Sequence, residues 1–102
     1  MEIRCATIKE LDDITCVESL CFPASEAASK DEFEERIKYY GNHFWLLYEA
    51  NKLISFVDGM ATNKPDLEDD MYLNAAMHNE NGLWQMIFGV NTIPTHRHQG
   101  YA

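Results

Sequence analysis

The segment spanning residues 83–102 restricts the fold more than any other part of this chain. Residues 83–93 (Leu-Trp-Gln-Met-Ile-Phe-Gly-Val-Asn-Thr-Ile) are rich in aromatic and β-branched side chains, which favours a strand. That run passes through Pro94 into Arg97-x-x-Gly100-x-Ala102, which reads as the first turn of a helix. A helix start carries unpaired backbone N–H groups and the positive end of the macrodipole, so it attracts phosphate oxygens. Gly100 lets the backbone come close to such an anion, and Ala102 is too small to block it. The expectation is an α/β (α+β) chain with a pyrophosphate cradle at a strand-to-helix junction.

The rest of the sequence supplies elements of matching type. Ile3, Cys5 and Thr7 alternate with Arg4 and Ala6, predicting a short first strand. Thr7-Ile8-Lys9-Glu10 is a capping box, and Leu11, Ile14, Val17 and Leu20 follow at helical spacing until Phe22-Pro23 ends the helix. Ser29-Lys30-Asp31-Glu32 is a second capping box, with Phe33, Ile37 and Tyr40 on one face and Gly41 as the stop. Residues 43–49 read as a strand covered on both faces, Ala50-Asn51-Lys52 as a hairpin loop, and residues 53–60 as the return strand. Residues 63–82 form a polar excursion in which Asp66 is the predicted cap of a short helix over 67–75. Asn79-Glu80-Asn81-Gly82 is turn chemistry before a fourth strand over 83–93. The 102 residues therefore make one domain, without repeats or low-complexity linkers.

A net charge of −9 argues against a nucleic-acid groove, which needs a basic stripe. The same charge suits a cationic amine substrate, although solubility explains it more simply. No apolar run is long enough to span a bilayer, and the first residues are not a secretory signal. Cys5, Cys16 and Cys21 are odd in number and lack C-x-x-C spacing, which predicts reduced, mostly packed thiols and a cytoplasmic protein.

Thr92, Pro94, His96, Arg97, Gly100 and Ala102 fall at the positions of motif A (roughly V-x-P-x-Y-R-x-x-G-x-G/A) of the GCN5-related N-acetyltransferases, or GNAT superfamily, which this chain resembles. Thr92 replaces the usual Val and His96 the usual aromatic. Residues 21–28 (Cys-Phe-Pro-Ala-Ser-Glu-Ala-Ala) resemble the acceptor-side segment of the arylalkylamine-type subgroup, and Asn42-His43-Phe44-Trp45 is similar to its bacterial members. The resemblance covers essentially the whole chain. It implies the GNAT acyl-CoA N-acyltransferase fold, a mixed, mostly antiparallel sheet with flanking helices, with the C-terminal half missing. It also implies acetyl-CoA as cosubstrate and direct acetyl transfer to a small primary amine. Pantetheine would lie along Val90, Asn91 and Thr92, where a backbone N–H would hold the oxyanion. The pyrophosphate would lie over the amides of Arg97, His98, Gln99, Gly100, Tyr101 and Ala102. The amine pocket would be built from Phe22, Pro23, Ser25 and Glu26.

Two departures from the family pattern matter. The paired histidines that serve the arylalkylamine enzymes as a proton route align with Met86 and Phe88, neither of which accepts a proton. Candidate general bases are instead Glu26, His78 and Glu80. His96-x-His98 offers two ligands with no third nearby, so no metal is expected. The sequence stops at Ala102, inside the first turn of motif A, so the expectation is the N-terminal part of an acetyltransferase without turnover of its own. Rival expectations are a CoA-binding or interaction module without chemistry, and a generic α/β interaction domain. An unpaired fourth-strand edge carrying Trp84, Met86 and Phe88 predicts a homodimer along that strand.

Overall fold

The computed structural model describes residues 2–96. The cradle expected from Arg97 to Ala102 lies outside the described residues. Strand β1 (Glu2–Cys5) leads through a 3-10 turn (Ile8–Glu10) into helix α1 (Leu11–Cys21), and helix α2 (Lys30–Tyr40) follows. Strands β2 (Phe44–Glu49), β3 (Lys52–Asp58) and β4 (Ala61–Thr62) come next, then the short helix α3 (Asp69–Leu73). Strands β5 (Trp84–Gln85) and β6 (Gly89–Thr92) complete the described elements, with a 3-10 turn at Pro94–His96.

Both capping boxes form. Thr7 and Glu10 close the first on the 3-10 turn, and Ser29 and Glu32 close the second on α2. Gly41 does end α2, but with right-handed geometry (φ −55°) rather than the left-handed cap of many helix ends. Its lack of a side chain is required instead by Ala6, whose carbonyl oxygen would lie 2.8 Å from a Cβ. The excursion helix is shorter than the predicted span, and Glu68 rather than Asp66 is its cap residue, without a side-chain bond.

The main sheet has the order β1-β2-β3-β6, antiparallel throughout. Helices α1 and α2 cover one face, where Phe33, Phe44 and Phe56 meet edge-on or tilted at 5.4–5.9 Å between ring centroids. Each such ring contributes about 1.5–3 kcal/mol through burial. Strand β2 was expected to be covered on both faces. It is instead one-sided: Phe44, Leu46 and Tyr48 are buried, while Trp45, Leu47 and Glu49 are half-buried.

The predicted continuous strand over 83–93 is split. Asp58 pairs with Gly89 and Ala61 pairs with Gln85, so two residues on one side face three on the other. The extra residue is a β-bulge, which bends the strand and changes which side chains face the helices. The bulge also corrects the expected apolar edge. Met86 turns into a second core with Tyr40, Met60, Met71 and Ala75, and Phe88 stacks on Tyr72 at 4.6 Å. The exposed apolar groups along this segment are Leu83, Trp84, Ile87 and Val90.

Candidate functional site

The bulge opens the sheet beside the helices, and a cavity of about 370 Å³ occupies the gap. Its floor comes from β3 and β6, through Asp58, Gly89 and Asn91; its walls include Glu18 and Arg36 from the helices and Phe22, Ser25 and Glu26 from the connecting loop. Two buried polar pairs hold these elements together.

The first pair joins α1 to β6. Glu18 sits on the inner face of α1; its Oε1 accepts from Asn91 Nδ2 at 2.6 Å, and its Oε2 accepts the Ala28 N–H at 2.7 Å. One carboxylate thereby pins the connecting loop and fixes how Asn91 points. The second pair joins α2 to β3. Arg36 donates from Nη1 to Asp58 Oδ2 at 3.1 Å and from Nη2 to the Tyr72 carbonyl at 3.1 Å. Its guanidinium also lies 5.4 Å from the Phe88 ring centroid. Burial pushes the Asp58 carboxyl from its ordinary 3.8 up to about 6; Arg36 opposes that rise and Glu18 adds to it.

Strand β6 is an edge of the sheet among the described residues. The Ile93 N–H bonds back to the Ile54 carbonyl at 2.9 Å, so by the alternation of an antiparallel ladder Val90 turns its backbone groups toward that edge. Asn91 alone of the three expected thioester-strand residues lines the cavity; Val90 and Thr92 face away, the latter 3.1 Å from Ser55 through its hydroxyl. Of Phe22, Pro23, Ser25 and Glu26, the cavity is lined by Phe22, Ser25 and Glu26 and not by Pro23.

His78 and Glu80 are brought together elsewhere, outside the cavity lining. Glu80 Oε1 accepts from His78 Nε2 at 2.8 Å, His43 Nε2 lies 3.2 Å from both Glu80 oxygens, and Asn42 donates to Oε2 at 2.9 Å. Three possible metal-ligand atoms of His43, His78 and Glu80 fall within 4.8 Å of one another. Yet the Ala61 N–H donates to His78 Nδ1 at 3.0 Å, which places the ring hydrogen on Nε2 and leaves that nitrogen no lone pair for a metal or for a proton. The cluster is a clasp that ties the excursion to the start of β2.

Bonds from His78, then His43, hold the Glu80 carboxyl down at about 2, below its ordinary 4.5. A carboxyl lowered on folding stabilises the fold above its unfolded value, and that stability is lost as pH falls from 4.5 toward 2. Glu80→Gln is therefore expected to lower the urea midpoint near neutral pH, and the gap from wild type should close below pH 4.5. A gap that persists unchanged in acid would count against the clasp.

Glu18, Arg36 and Asp58 belong to no motif in the sequence. The available signal was a charged residue on an otherwise apolar stripe: Glu18 beside Val17, Arg36 between Phe33 and Tyr40, and Asp58 closing an apolar strand.

No described protein family and no curated relative matches the sequence. Solved structures do. The GphF GNAT-like decarboxylase in complex with isobutyryl-CoA superposes with a TM-score of 0.87 at 22% identity, over 99% of this chain and 53% of that one. The loading GNATL domain of CurA from Lyngbya majuscula gives 0.86 at 21%, over 98% and 51%. The ribosomal-protein-S18-alanine N-acetyltransferase from Escherichia coli gives 0.62 at 14%, over 97% and 50%. The chain spans about half the length of these structures and has the corresponding part of the GNAT fold.

Proposed function

We propose that this chain, with its GNAT fold, provides the acceptor pocket and thioester strand of an acyl-CoA-dependent N-acyltransferase. The donor is acetyl-CoA, and the acceptor is a small primary amine. The observation that carries this reading is the cavity where the acceptor loop, through Phe22, Ser25 and Glu26, meets the edge strand at Gly89 and Asn91. Gly89 leaves the cavity floor open, and Val90 presents backbone groups on the edge beside it. A thioester bound along β6 supplies an electrophilic carbonyl; the chain supplies the Val90 amide to polarise it and the cavity to hold the amine. A solved neighbour of the same fold is in complex with isobutyryl-CoA, which supports a CoA thioester as the ligand of such a strand. Among the described residues, the lining acids Glu18, Glu26, Glu32 and Asp58 outnumber the lining cation Arg36, and this balance favours a cationic acceptor.

On the resemblance of residues 97–102 to motif A, we assign the donor's diphosphate to this segment. Gly100→Glu is expected to abolish CoA binding in isothermal titration by crowding and repelling the phosphates. Affinity equal to wild type would remove the cradle. A second reading, a CoA-binding module without chemistry, is favoured by Met86 and Phe88, which leave the histidine route absent. Acetyl transfer to a panel of primary amines separates the two, since binding without turnover supports the module.

The exposed Trp84 and Ile87, which precede the Gly89–Thr92 stretch assigned to the thioester, also support a homodimer at the β5 end of this strand edge. Light scattering is expected to give twice the chain mass, and a stable monomer would remove the dimer. Cys5, Cys16 and Cys21 are free thiols, and no helix among the described residues is long and apolar enough to cross a membrane. We assign a cytoplasmic location on the thiols.

A further inference from the structure

We propose that Asp58 and Asn91 form an oxygen-lined seat for the acceptor's primary ammonium in the cavity beside Gly89, and that Asp58 is the base that removes its proton. This inference rests on the N-acyltransfer reading and says where the missing proton route lies.

The seat follows from register. Asp58 is paired with Gly89, and Asn91, paired with Phe56, lies two residues along on the same face. A Cβ built on Gly89 would lie 2.9 Å from Asn91 Oδ1 and 3.4 Å from Asp58 Oδ1, so both oxygens flank the bare side of Gly89, which lines the cavity with them. Asn91 is 2% exposed, and its Oδ1 is buried with no donor among the described residues. Its orientation is not free, because turning the amide would set Oδ1 against the Glu18 carboxylate at 2.6 Å. Arg36 occupies Asp58 Oδ2, and no other side-chain donor reaches that carboxylate among the described residues. A buried acceptor without a donor costs about 1–3 kcal/mol, so its persistence points to a ligand that donates.

The chemistry of the point selects the ligand. Two acceptors, one of them a carboxylate, repel phosphates and carboxylates and suit a cation with several N–H groups. A primary ammonium satisfies both oxygens and has a third hydrogen to spare. The groups acting on Asp58 are Arg36 and Tyr40 from α2 and Glu18 from α1; Glu26 from the loop, Glu32 from α2 and Tyr72 from α3 line the same cavity. Their balance leaves the Asp58 carboxyl near 6, ionised at neutral pH and basic enough to accept a proton.

The step balances. One ammonium proton moves to Asp58 Oδ1, and the freed lone pair forms the C–N bond to the thioester carbonyl carbon. The C–S bond breaks, the nitrogen's second proton goes to the departing thiolate, and Asp58 returns its proton to water. The products are an amide, a thiol and one proton.

The test uses 2-phenylethylamine with acetyl-CoA, because Phe22, Tyr72 and Phe88 offer its ring aromatic walls. Asp58→Asn is expected to lower kcat by about 100-fold with CoA affinity unchanged, and to remove the acid limb of the pH profile. Gly89→Ala should raise KM for the amine about 10-fold and spare kcat, since its methyl meets only side-chain oxygens that can shift slightly. Titration of the amine alone, followed by calorimetry, gives a readout independent of turnover: wild type should bind and Gly89→Ala should not. Unchanged KM in Gly89→Ala, a retained acid limb in Asp58→Asn, or no amine binding by wild type would each overturn the seat. Failure of the N-acyltransfer reading looks different, as loss of CoA binding while the amine still titrates into the seat.

Discussion

Replacing Arg36 with alanine is expected to cost about 3–5 kcal/mol of folding stability near neutral pH, because it strands a buried carboxylate. Asp58 is 1% exposed, and Arg36 is the cation beside it in the cavity lining. The loss is a large share of the about 5–15 kcal/mol that holds a domain together. It should also depend on pH in a defined direction. The Asp58 carboxyl already titrates higher in the fold than its ordinary 3.8, and removing the guanidinium raises it further. A carboxyl raised on folding gives its stabilising contribution below 3.8, and that contribution is lost as pH rises through its folded value. Arg36→Ala should accordingly be least stable at neutral pH and recover part of the loss toward pH 4. Adding Asp58→Leu to Arg36→Leu should restore stability relative to the single change, since both charges are then gone. Urea midpoints of the variants across pH measure all three expectations, and a single variant within about 1 kcal/mol of wild type at neutral pH would refute the buried pair as a keystone.

Gly59→Ala is expected to be as damaging, for a reason that involves no charge. A Cβ at Gly59 would sit 1.7 Å from the Met86 carbonyl oxygen and 2.5 Å from its carbon. Both obstacles are backbone, so no rotamer change relieves the clash. The strands must separate, straining the Met86 N–H bond to Met60 and the Phe88 N–H bond to Asp58, at 2.8 and 2.7 Å. Overpacking together with two weakened hydrogen bonds amounts to about 3–5 kcal/mol. Denaturant unfolding should show the variant largely unfolded or with its midpoint far below wild type. The contrast with Gly89 is instructive, because there the nearest atoms belong to side chains that can yield. A wild-type midpoint in Gly59→Ala would mean that the bulge does not hold this close approach.

Element types were legible in the sequence wherever a local rule governs them. Thr7 with Glu10 and Ser29 with Glu32 announce helix starts because each capping box is closed within four residues. Leu11, Ile14, Val17 and Leu20 declare an inner face by spacing; the structure buries the first three and leaves Leu20, in the last turn, exposed. Ala50 and Asn51 form the hairpin turn with positive φ at both, so the loop holds two residues, with Lys52 already paired. Phe22, Ser25 and Glu26, neighbours in one short segment of the sequence, share a cavity wall. The buried polar pairs were not legible, because Glu18, Arg36 and Asp58 look like ordinary charges until three separate elements bring them together.

The sequence by itself determined helices, hairpin and the order of elements, because those depend on neighbours within a turn or a strand. Only the tertiary structure decided where β5 ends and β6 begins. The bulge arises from the approach of Met86 to Gly59, 27 positions apart in the chain. That one extra residue turns Met86 into a core, leaves Gly89 bare between two oxygens, and so places the cavity. Register between distant strands is a property of packing, and no local pattern encodes it.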